Sequence, residues 1–287
     1  MTRSVDSLKA FMGSSGRDDT FRPTPGVVVV GAGKGGVGTS VVSALLAVDA
    51  ARRGARVLLV DADEMVGSLH LMFGITDPGP GIGALRGGSL TPGELVLDIA
   101  PGLSLFPGGG GGMDATLAVA AAERRTLLRR VAGLYEAFDL TIVDGGSRLD
   151  SVMAACRAGA ERLLCVTAPD RISLAASYAL FKIANTQFKG LPVELVVNGA
   201  SDEEAREVHS IVRSAATSFM GGTVAFGGGV PDDPGVRARV VAGAALHEVD
   251  PTSPAARAAT MVVDRILADR RRLSDSDTPV VPLFREV

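Results

Sequence analysis

The chain has few aromatic residues and almost no cysteine. Among 287 residues there is no tryptophan, only two are tyrosine, and aromatic residues make up 4% of the sequence. The core must therefore be packed mainly with Val, Leu, Ile and Ala. Cys156 and Cys165 lack the spacing of a disulfide framework or a metal site, so we expect both to be buried small apolar residues in a reducing cytoplasm.

Long apolar runs and a strong excess of one charge are also missing. No segment has the length and hydrophobicity of a signal peptide or a membrane span, so neither is expected. The formal net charge is −3 and most arginines are scattered, which is a poor footprint for nucleic acid. With 46% hydrophobic and 21% charged residues, the composition is that of one globular domain with a large core.

Alternating strand and helix patterns predict the fold class and its limits. They indicate a single doubly wound, mostly parallel α/β sheet with helices on both faces, over residues 26–272. Residues 1–25 mix Ser, Gly, Asp, Arg and Pro and are expected to form a flexible arm, and residues 273–287 a C-terminal tail. The apolar face of residues 261–272 is explained by packing on the sheet, with binding to a membrane surface as the alternative.

One glycine-rich segment carries most of the chemistry. The pattern G-x-x-x-x-G-K-[ST] runs from Gly33 to Ser40 and fails only at Thr39, where lysine is expected. A strand of four valines at 27–30 precedes it, and a helix with apolar residues at helical spacing follows at 41–53. In this arrangement backbone N–H groups and a helix N-terminus surround phosphate oxygens. The sequence therefore predicts a phosphate-binding loop without its usual cation, and a plain glycine-rich turn is the alternative.

A second lysine, Lys34, lies inside this loop. The run Lys34-Gly-Gly-Val-Gly-Thr-Ser40 resembles the deviant Walker A motif K-G-G-V-G-K-[ST] of the MinD/ParA ATPases. The resemblance implies ATP and Mg²⁺ as cofactors, and an ATP-dependent homodimer in which Lys34 reaches the phosphates of the other subunit as a catalytic residue. Thr39 departs from the family pattern at the ordinary Walker lysine. The implied nucleotide-binding residues of the loop are Gly33, Lys34, Gly35, Gly36, Val37, Gly38, Thr39 and Ser40, with Ser40 also a Mg²⁺ ligand.

Two further strands extend the resemblance. The run Val57-Leu-Leu-Val-Asp-Ala-Asp63 is similar to the family's second strand, which implies that Asp61 lies near Mg²⁺ and that Asp63 is catalytic, near the attacking water. Asp144 ends a strand similar to Walker B and is implied as a Mg²⁺ ligand. The family's D-[ST]-x-A-G switch is replaced by Asp144-Gly-Gly-Ser-Arg148. Arg148 is therefore either a solvated loop arginine or a substitute for the missing lysine.

Motifs in the later part of the chain resemble one branch of this family. Residues 166–182 are similar to the V-T-x-P-E-x-x-S-x-x-D-A-Y-A-L-x-K stretch of the flagellar number regulators FlhG/FleN. Asn198 matches the strand-end asparagine that contacts adenine in this family, and Pro231 and Asp232 fall on the loop beside the base.

The implied function is an ATP-binding switch of the FlhG/FleN type that regulates flagellar number or placement through partner proteins. Thr39 predicts slow or impaired hydrolysis of ATP to ADP and phosphate, so whether the protein is a working enzyme is left open. A non-hydrolysing CpaE/TadZ-like localisation scaffold for pilus assembly is one alternative, and a partition ATPase is another, although binding to DNA is not expected. The implied location is the cytoplasm, with the inner face of the membrane or a cell pole as a peripheral site.

Four other features have plainer interpretations. Two glycine clusters, at 108–112 and 227–229, do not open a helix beside a basic residue and are expected to be flexible loops. Residues 115–138 are expected to form one long helix whose arginines make a solvated face. His70 stands alone and is expected at the surface or in packing.

Overall fold

The computed structural model describes residues 21–109, 121–220 and 222–276. The strands are β1 Val27–Ala32, β2 Val57–Asp61, β3 Leu97–Ala100, β4 Leu103–Phe106, β5 Leu140–Asp144, β6 Arg162–Thr167, β7 Val193–Asn198 and β8 Ala225–Val230. The α-helices are α1 Thr39–Arg52, α2 Ala121–Ala132, α3 Leu149–Arg157, α4 Arg171–Gln187, α5 Asp202–Met220, α6 Pro234–Ala242 and α7 Pro254–Ser276. Short 3₁₀ helices lie at Leu69–Phe73, Ile82–Gly87, Pro92–Leu95, Tyr135–Ala137 and Leu246–Glu248.

The strands form one sheet in the order β3-β4-β2-β5-β1-β6-β7-β8. All neighbouring strands are parallel except β3 and β4, which form an antiparallel edge. The order reverses on the two sides of β1, because β5 and β2 lie on one side and β6 and β7 on the other. This is the predicted doubly wound sheet, and such sheets collect ligands at the carboxyl ends of their strands, where the order reverses.

Helices cover both faces of the sheet, which explains the apolar strand sequences. In β1, Val27 and Val29 face the core beneath α2, α3, α4 and α5, whereas Val28 and Val30 face the core beneath α1 and α7. All four valines are at most 1% exposed. A strand buried on both faces has no polar side, so it reads as a continuous apolar run.

The helix after the glycine loop begins two residues earlier than the sequence predicts. α1 starts at Thr39 rather than at residue 41, and its N-cap is Gly38, whose φ of 89° is left-handed. A glycine accepts this conformation without strain, so the loop turns directly into the helix. The first backbone N–H groups of α1 therefore lie directly at the end of the glycine loop.

The predicted arginine-rich helix ends at Ala132 rather than at residue 138, and one of its arginines is buried. α2 covers Ala121–Ala132, a 3₁₀ turn follows at Tyr135–Ala137, and residues 110–120 lie outside the described residues. The expectation of a fully solvated arginine face is wrong for Arg124, whose side chain is 1% exposed and forms ion pairs with Glu64 and Asp150. A carboxylate as buried as Glu64 needs a counterion inside the fold.

The expectation of flexible glycine loops is also wrong where the structure describes them. Residues 227–229 lie within β8, and a Cβ on Gly229 would lie 2.5 Å from the backbone oxygen of Ser201. A Cβ on Gly108 would lie 2.4 Å from the backbone oxygen of Asp63. These glycines therefore allow close backbone packing. Residues 110–112 lie outside the described part of the chain.

The ends of the described chain pack on the domain. In the predicted arm, residues 1–25, Phe21 lies with its ring centroid 5.2 Å from that of Phe188, and Thr24 N–H donates to the Gly159 carbonyl over 2.9 Å. Residues 1–20 lie outside the described residues. At the other end, Val262, Val263 and Ile266 of α7 are buried, which confirms that this helix packs on the sheet. α7 continues to Ser276, and residues 277–287 are outside the described range. No helix among the described residues is both long and apolar enough to cross a membrane.

Candidate nucleotide site

The glycine loop lies between β1 and α1 in a tightly fitted position. Gly36 and Gly38 have φ values of +81° and +89°, which only glycine adopts readily. A Cβ on Gly33 would lie 2.1 Å from the backbone oxygen of Ala176 in α4, so this position has no room for a side chain. Successive left-handed turns with a helix N-terminus behind them form a concave set of N–H donors suited to an anion.

Thr39 and Ser40 begin the helix behind this loop and differ in their surroundings. Thr39 is 7% exposed, and its carbonyl accepts a hydrogen bond from Ser43 Oγ over 3.0 Å. Its short side chain carries no charge, so the position of the Walker lysine supplies no cation. Ser40 lies beside Asp144 at the end of β5, where its hydroxyl lowers the pKa of the carboxylate.

Asp61 and Asp144 form a buried pair at the ends of adjacent strands. The two residues are directly paired in the β2–β5 register. Burial first, and then the charge of Asp144, raise the pKa of Asp61 to about 7, although its carboxylate accepts backbone N–H groups. Burial raises the pKa of Asp144 to about 6 against the opposing hydrogen bonds from Ser40 and Gly146. Two carboxylates in this position attract a cation.

The same carboxylates also organise the neighbouring loops. Asp61 accepts backbone N–H groups from Asp63 at 3.0 Å, Ser68 at 2.9 Å and Leu69 at 3.1 Å. Asp63, which the sequence assigns near the attacking water, uses Oδ1 to accept the N–H groups of Met65 at 3.0 Å and Val66 at 3.1 Å. The structure therefore brings Asp61 and Asp63 together in one loop, where both side chains hold the backbone in place.

Lys34 points toward the start of α4. Its Nζ lies 3.3 Å from Ser173 Oγ and 3.8 Å from Asp170 Oδ2, and its side chain is 43% exposed. Asp170 caps α4 by accepting the N–H groups of Ile172 and Ser173. Hydrogen bonds from Ser173 are the main reason that the pKa of Asp170 is lowered. Lys34 is thus held loosely, at the surface, within its own subunit.

The residues predicted beside adenine lie at the next strand ends. Asn198 Nδ2 donates a 2.8 Å hydrogen bond to the carbonyl of Val37, so the end of β7 is tied directly to the glycine loop. Pro231 and Asp232 follow β8, and Asp232 forms an exposed ion pair with Arg237. Asn198 thus contacts the glycine loop, whereas Pro231 and Asp232 follow the neighbouring edge strand, and their place beside adenine stays a prediction.

Sequence reasoning gave no structural role to Asp233. Its Oδ1 caps α6 by accepting the N–H groups of Gly235 and Val236, and its Oδ2 accepts that of Ala255 from α7. The sequence could have predicted this role from the pair Asp233-Pro234. A carboxylate at the N-cap followed by proline at the first helical position is typical of a helix start.

A buried charge cluster behind the loops was also missed. Arg124 Nε donates to Glu64 Oε2 over 3.0 Å, and its two Nη atoms bind Glu64 and Asp150. Arg148 lies at the edge of this cluster, with Nη1 3.4 Å from Glu64 Oε1 and Nη2 3.7 Å from Asp150 Oδ2. Glu64 follows Asp63, and Asp150 lies in the first turn of α3, so Arg124 joins the two loops that flank the site.

The residues present fit a magnesium nucleotide. Left-handed glycines and the N-terminus of α1 suit phosphate oxygens, and Ser40, Asp61 and Asp144 offer oxygen ligands of the kind Mg²⁺ prefers. Within the described residues, no group of three or more His, Cys, Asp or Glu side chains could hold a metal ion by itself. Mg²⁺ commonly completes its coordination with phosphate oxygens and water, so this site suits a metal that arrives with a nucleotide.

The parallel sheet, the glycine loop after its first central strand and the aspartates at neighbouring strand ends define a protein with the P-loop NTPase fold. A family model described as ParA, NUBPL iron-transfer P-loop NTPase, matches residues 24–94. The antiactivator FleN of Pseudomonas aeruginosa is 27% identical over 255 residues, which cover 84% of this chain and 85% of FleN. The flagellum site-determining protein YlxH of Helicobacter pylori is 30% identical over 156 residues, 54% of this chain and 52% of YlxH.

Solved structures agree on the fold. The cell division ATPase MinD of Pyrococcus furiosus superposes with a TM-score of 0.72 at 23% identity, covering 85% of this chain and 99% of MinD. MinD of Pyrococcus horikoshii, solved as a complex with Mg-ADP, superposes with a TM-score of 0.68 at 22% identity, over 84% of this chain and 96% of that chain. The chain is thus similar to ParA-type P-loop proteins in sequence and to MinD in fold, and its similarity to FleN and YlxH is consistent with the flagellar branch.

Proposed function

We propose that the protein is a nucleotide-binding switch that binds ATP with Mg²⁺ and hydrolyses it slowly. The observation that carries this proposal is a phosphate loop whose backbone is intact but whose lysine is replaced by Thr39. Gly36 and Gly38 turn the backbone inward, and Ser40 lies beside Asp144, yet Thr39 is a buried neutral residue where the family has its lysine. Binding by backbone N–H groups does not need that cation, whereas stabilising charge on a transferred phosphate does.

The transition-state stabilisation lost with the lysine determines how slow ATP hydrolysis should be. A positioned cation that faces developing phosphate charge contributes about 3 kcal/mol to the transition state. Each 1.36 kcal/mol is about a tenfold change in rate, so its loss slows turnover by about a hundredfold. The binding free energy of ATP in the ground state falls less, because the loop N–H groups, Mg²⁺ and the contacts to the base already bind the nucleotide before it reacts. The protein therefore stays in the nucleotide-bound state for a long time.

Dimerisation on ATP is the second part of the proposal. Lys34 is exposed and, among the residues that the structure describes, contacts Ser173 at 3.3 Å and Asp170 at 3.8 Å, which are weak surface interactions. The family resemblance supports a dimer in which each Lys34 leaves this position and binds the nucleotide of the other subunit. Asp63 then orients the attacking water.

The cellular role that the relatives support is regulation of flagellar number or placement. FleN is named an antiactivator and YlxH a flagellum site-determining protein, and FleN matches most of this chain. Such a switch acts by exposing or hiding a surface for flagellar assembly proteins as nucleotide is bound and released. We place the protein in the cytoplasm, with a peripheral position at the membrane or a cell pole as a further possibility to test.

A non-hydrolysing scaffold for pilus assembly is the second candidate, and Thr39 is the observation that favours it. In that case nucleotide turnover is absent, and partner contacts alone determine where the protein is found. A partition role receives less support because the net charge is −3, which opposes binding to DNA phosphates. An iron-transfer role is also disfavoured, since Cys156 and Cys165 are both buried and burial raises the pKa of both thiols.

Phosphate release by the wild-type chain and by Thr39→Lys tests the proposal. We expect the lysine to speed turnover by about tenfold to a hundredfold, because it restores the cation in the transition state. Thr39→Ser is the matched control, since it keeps a small neutral hydroxyl side chain and should leave turnover unchanged. If nucleotide affinity and turnover both stay flat in Thr39→Lys, the claim that Thr39 limits the chemistry is wrong.

A further inference from the structure

A second cation lies beside the glycine loop. Arg148 immediately precedes α3 and ends the short loop that begins after Asp144. The hydroxyl of its neighbour Ser147 lies 3.4 Å from the position that a Cβ of Gly35 would take. The loop carrying Arg148 therefore lies against the glycine loop at Gly35.

The carboxylates that Arg148 contacts already have another counterion. Arg124 binds Glu64 through Nε and Nη2 and binds Asp150 through Nη1. Arg148 approaches the same two carboxylates only to 3.4 and 3.7 Å. Its side chain is 42% exposed, whereas that of Arg124 is 1% exposed. Arg124 is thus the structural cation of the cluster, and Arg148 is a second, loosely held one.

We propose that Arg148 moves onto the terminal phosphate of a bound nucleoside triphosphate and adds a ground-state contact there, without replacing the transition-state charge that Thr39 lacks. The proposal rests on the nucleotide-binding function proposed above. A guanidinium can donate two parallel N–H bonds to phosphate oxygens, which is stronger and more directional than the 3.4 and 3.7 Å contacts of Arg148 with Glu64 and Asp150. A nucleoside diphosphate does not carry the group that Arg148 would bind. Arg148 therefore makes the site prefer the triphosphate.

Calorimetry on the full chain with Mg²⁺ tests this preference. The probes are ADP and a non-hydrolysable ATP analogue, and the variants are Arg148→Ala and Arg148→Lys. In Arg148→Ala we expect affinity for the ATP analogue to fall at least tenfold while affinity for ADP changes less than twofold. Arg148→Lys keeps the charge and should retain part of the preference. Arg213→Ala, which removes an exposed arginine from α5, is the control and should change neither affinity.

Adding Thr39→Lys to Arg148→Ala gives a second test. If the two residues supply charge to the same phosphate, lysine at position 39 restores the triphosphate preference that Arg148→Ala loses. Thermal unfolding of each variant shows whether it is folded, and Arg148→Gln replaces Arg148→Ala if alanine destabilises the loop.

Two results would overturn the inference, and they can be told apart. If the wild-type chain binds the ATP analogue and Arg148→Ala binds it equally well, the assignment of Arg148 is wrong and the proposed function stands. If the wild-type chain binds neither nucleotide, the proposed function itself fails.

Discussion

Replacing Arg124 with methionine removes the counterion of a buried carboxylate. The Arg124 and Glu64 side chains are each 1% exposed, and Arg124 Nε donates to Glu64 Oε2 over 3.0 Å. Methionine keeps the apolar stem but leaves Glu64 without its main partner. Breaking a buried ion pair in this way costs about 3–5 kcal/mol. Arg148 remains 3.4 Å from Glu64 and offsets part of the loss, so we expect the free energy of unfolding to fall by the lower figure.

Urea unfolding followed by circular dichroism measures this loss. The matched control is Arg125→Met, which makes the same change at the next, partly exposed position of α2 and should cost about 1 kcal/mol or less. Adding Glu64→Gln to Arg124→Met removes the stranded charge and should recover part of the stability. Equal losses in Arg124→Met and Arg125→Met would refute the view that Arg124 holds the two loops by charge.

Two further substitutions and a pH series have specific expected effects on nucleotide affinity or stability. Asn198→Ala removes a 2.8 Å bond to the glycine loop, so nucleotide affinity should fall by about five- to tenfold in a binding titration, corresponding to about 1 kcal/mol. Gly108→Ala should destabilise the fold in a thermal melt because its Cβ would lie 2.4 Å from a backbone oxygen, whereas Gly83→Ala, with nothing within 4 Å, should not. Asp61 and Asp144 have pKa values raised to about 7 and about 6 from 3.8, so their stabilisation is fully present below about pH 4 and is lost as the pH rises through 6 and 7. Unfolding free energies from pH 5 to pH 8 should therefore fall in the wild type and fall less in Asp144→Asn.

The sequence was enough to predict the doubly wound sheet and the meeting of Asp61 and Asp144 at one edge of it. Four valines before a glycine loop can be packed well only as a strand covered on both faces, and the structure has β1 there. Asp61 and Asp144 follow apolar runs, and parallel strands bring their carboxyl ends to one edge, so their proximity follows from the fold class. Whether these residues bind nucleotide remains a prediction.

The sequence could not predict the buried charge cluster around Arg124 and Glu64, and the reason is physical. Arg124 and Glu64 are 60 residues apart, and an arginine on an amphipathic helix reads the same whether it faces water or a buried carboxylate. The role of Gly108 was hidden in the same way, because close backbone packing leaves no mark beyond the glycine itself. Both features depend on how two distant loops meet.

Calorimetry with Mg²⁺-ATP, combined with light scattering on the same samples, tests the central claim most directly. We expect saturable binding and a doubling of the 29.4 kDa mass when ATP is present, because the glycine loop keeps its left-handed glycines and Lys34 is only weakly held in its own subunit. Lys34→Ala should keep binding and lose the doubling. Absence of heat and of any mass change at millimolar ATP would contradict the account and leave a phosphate loop that no longer binds phosphate.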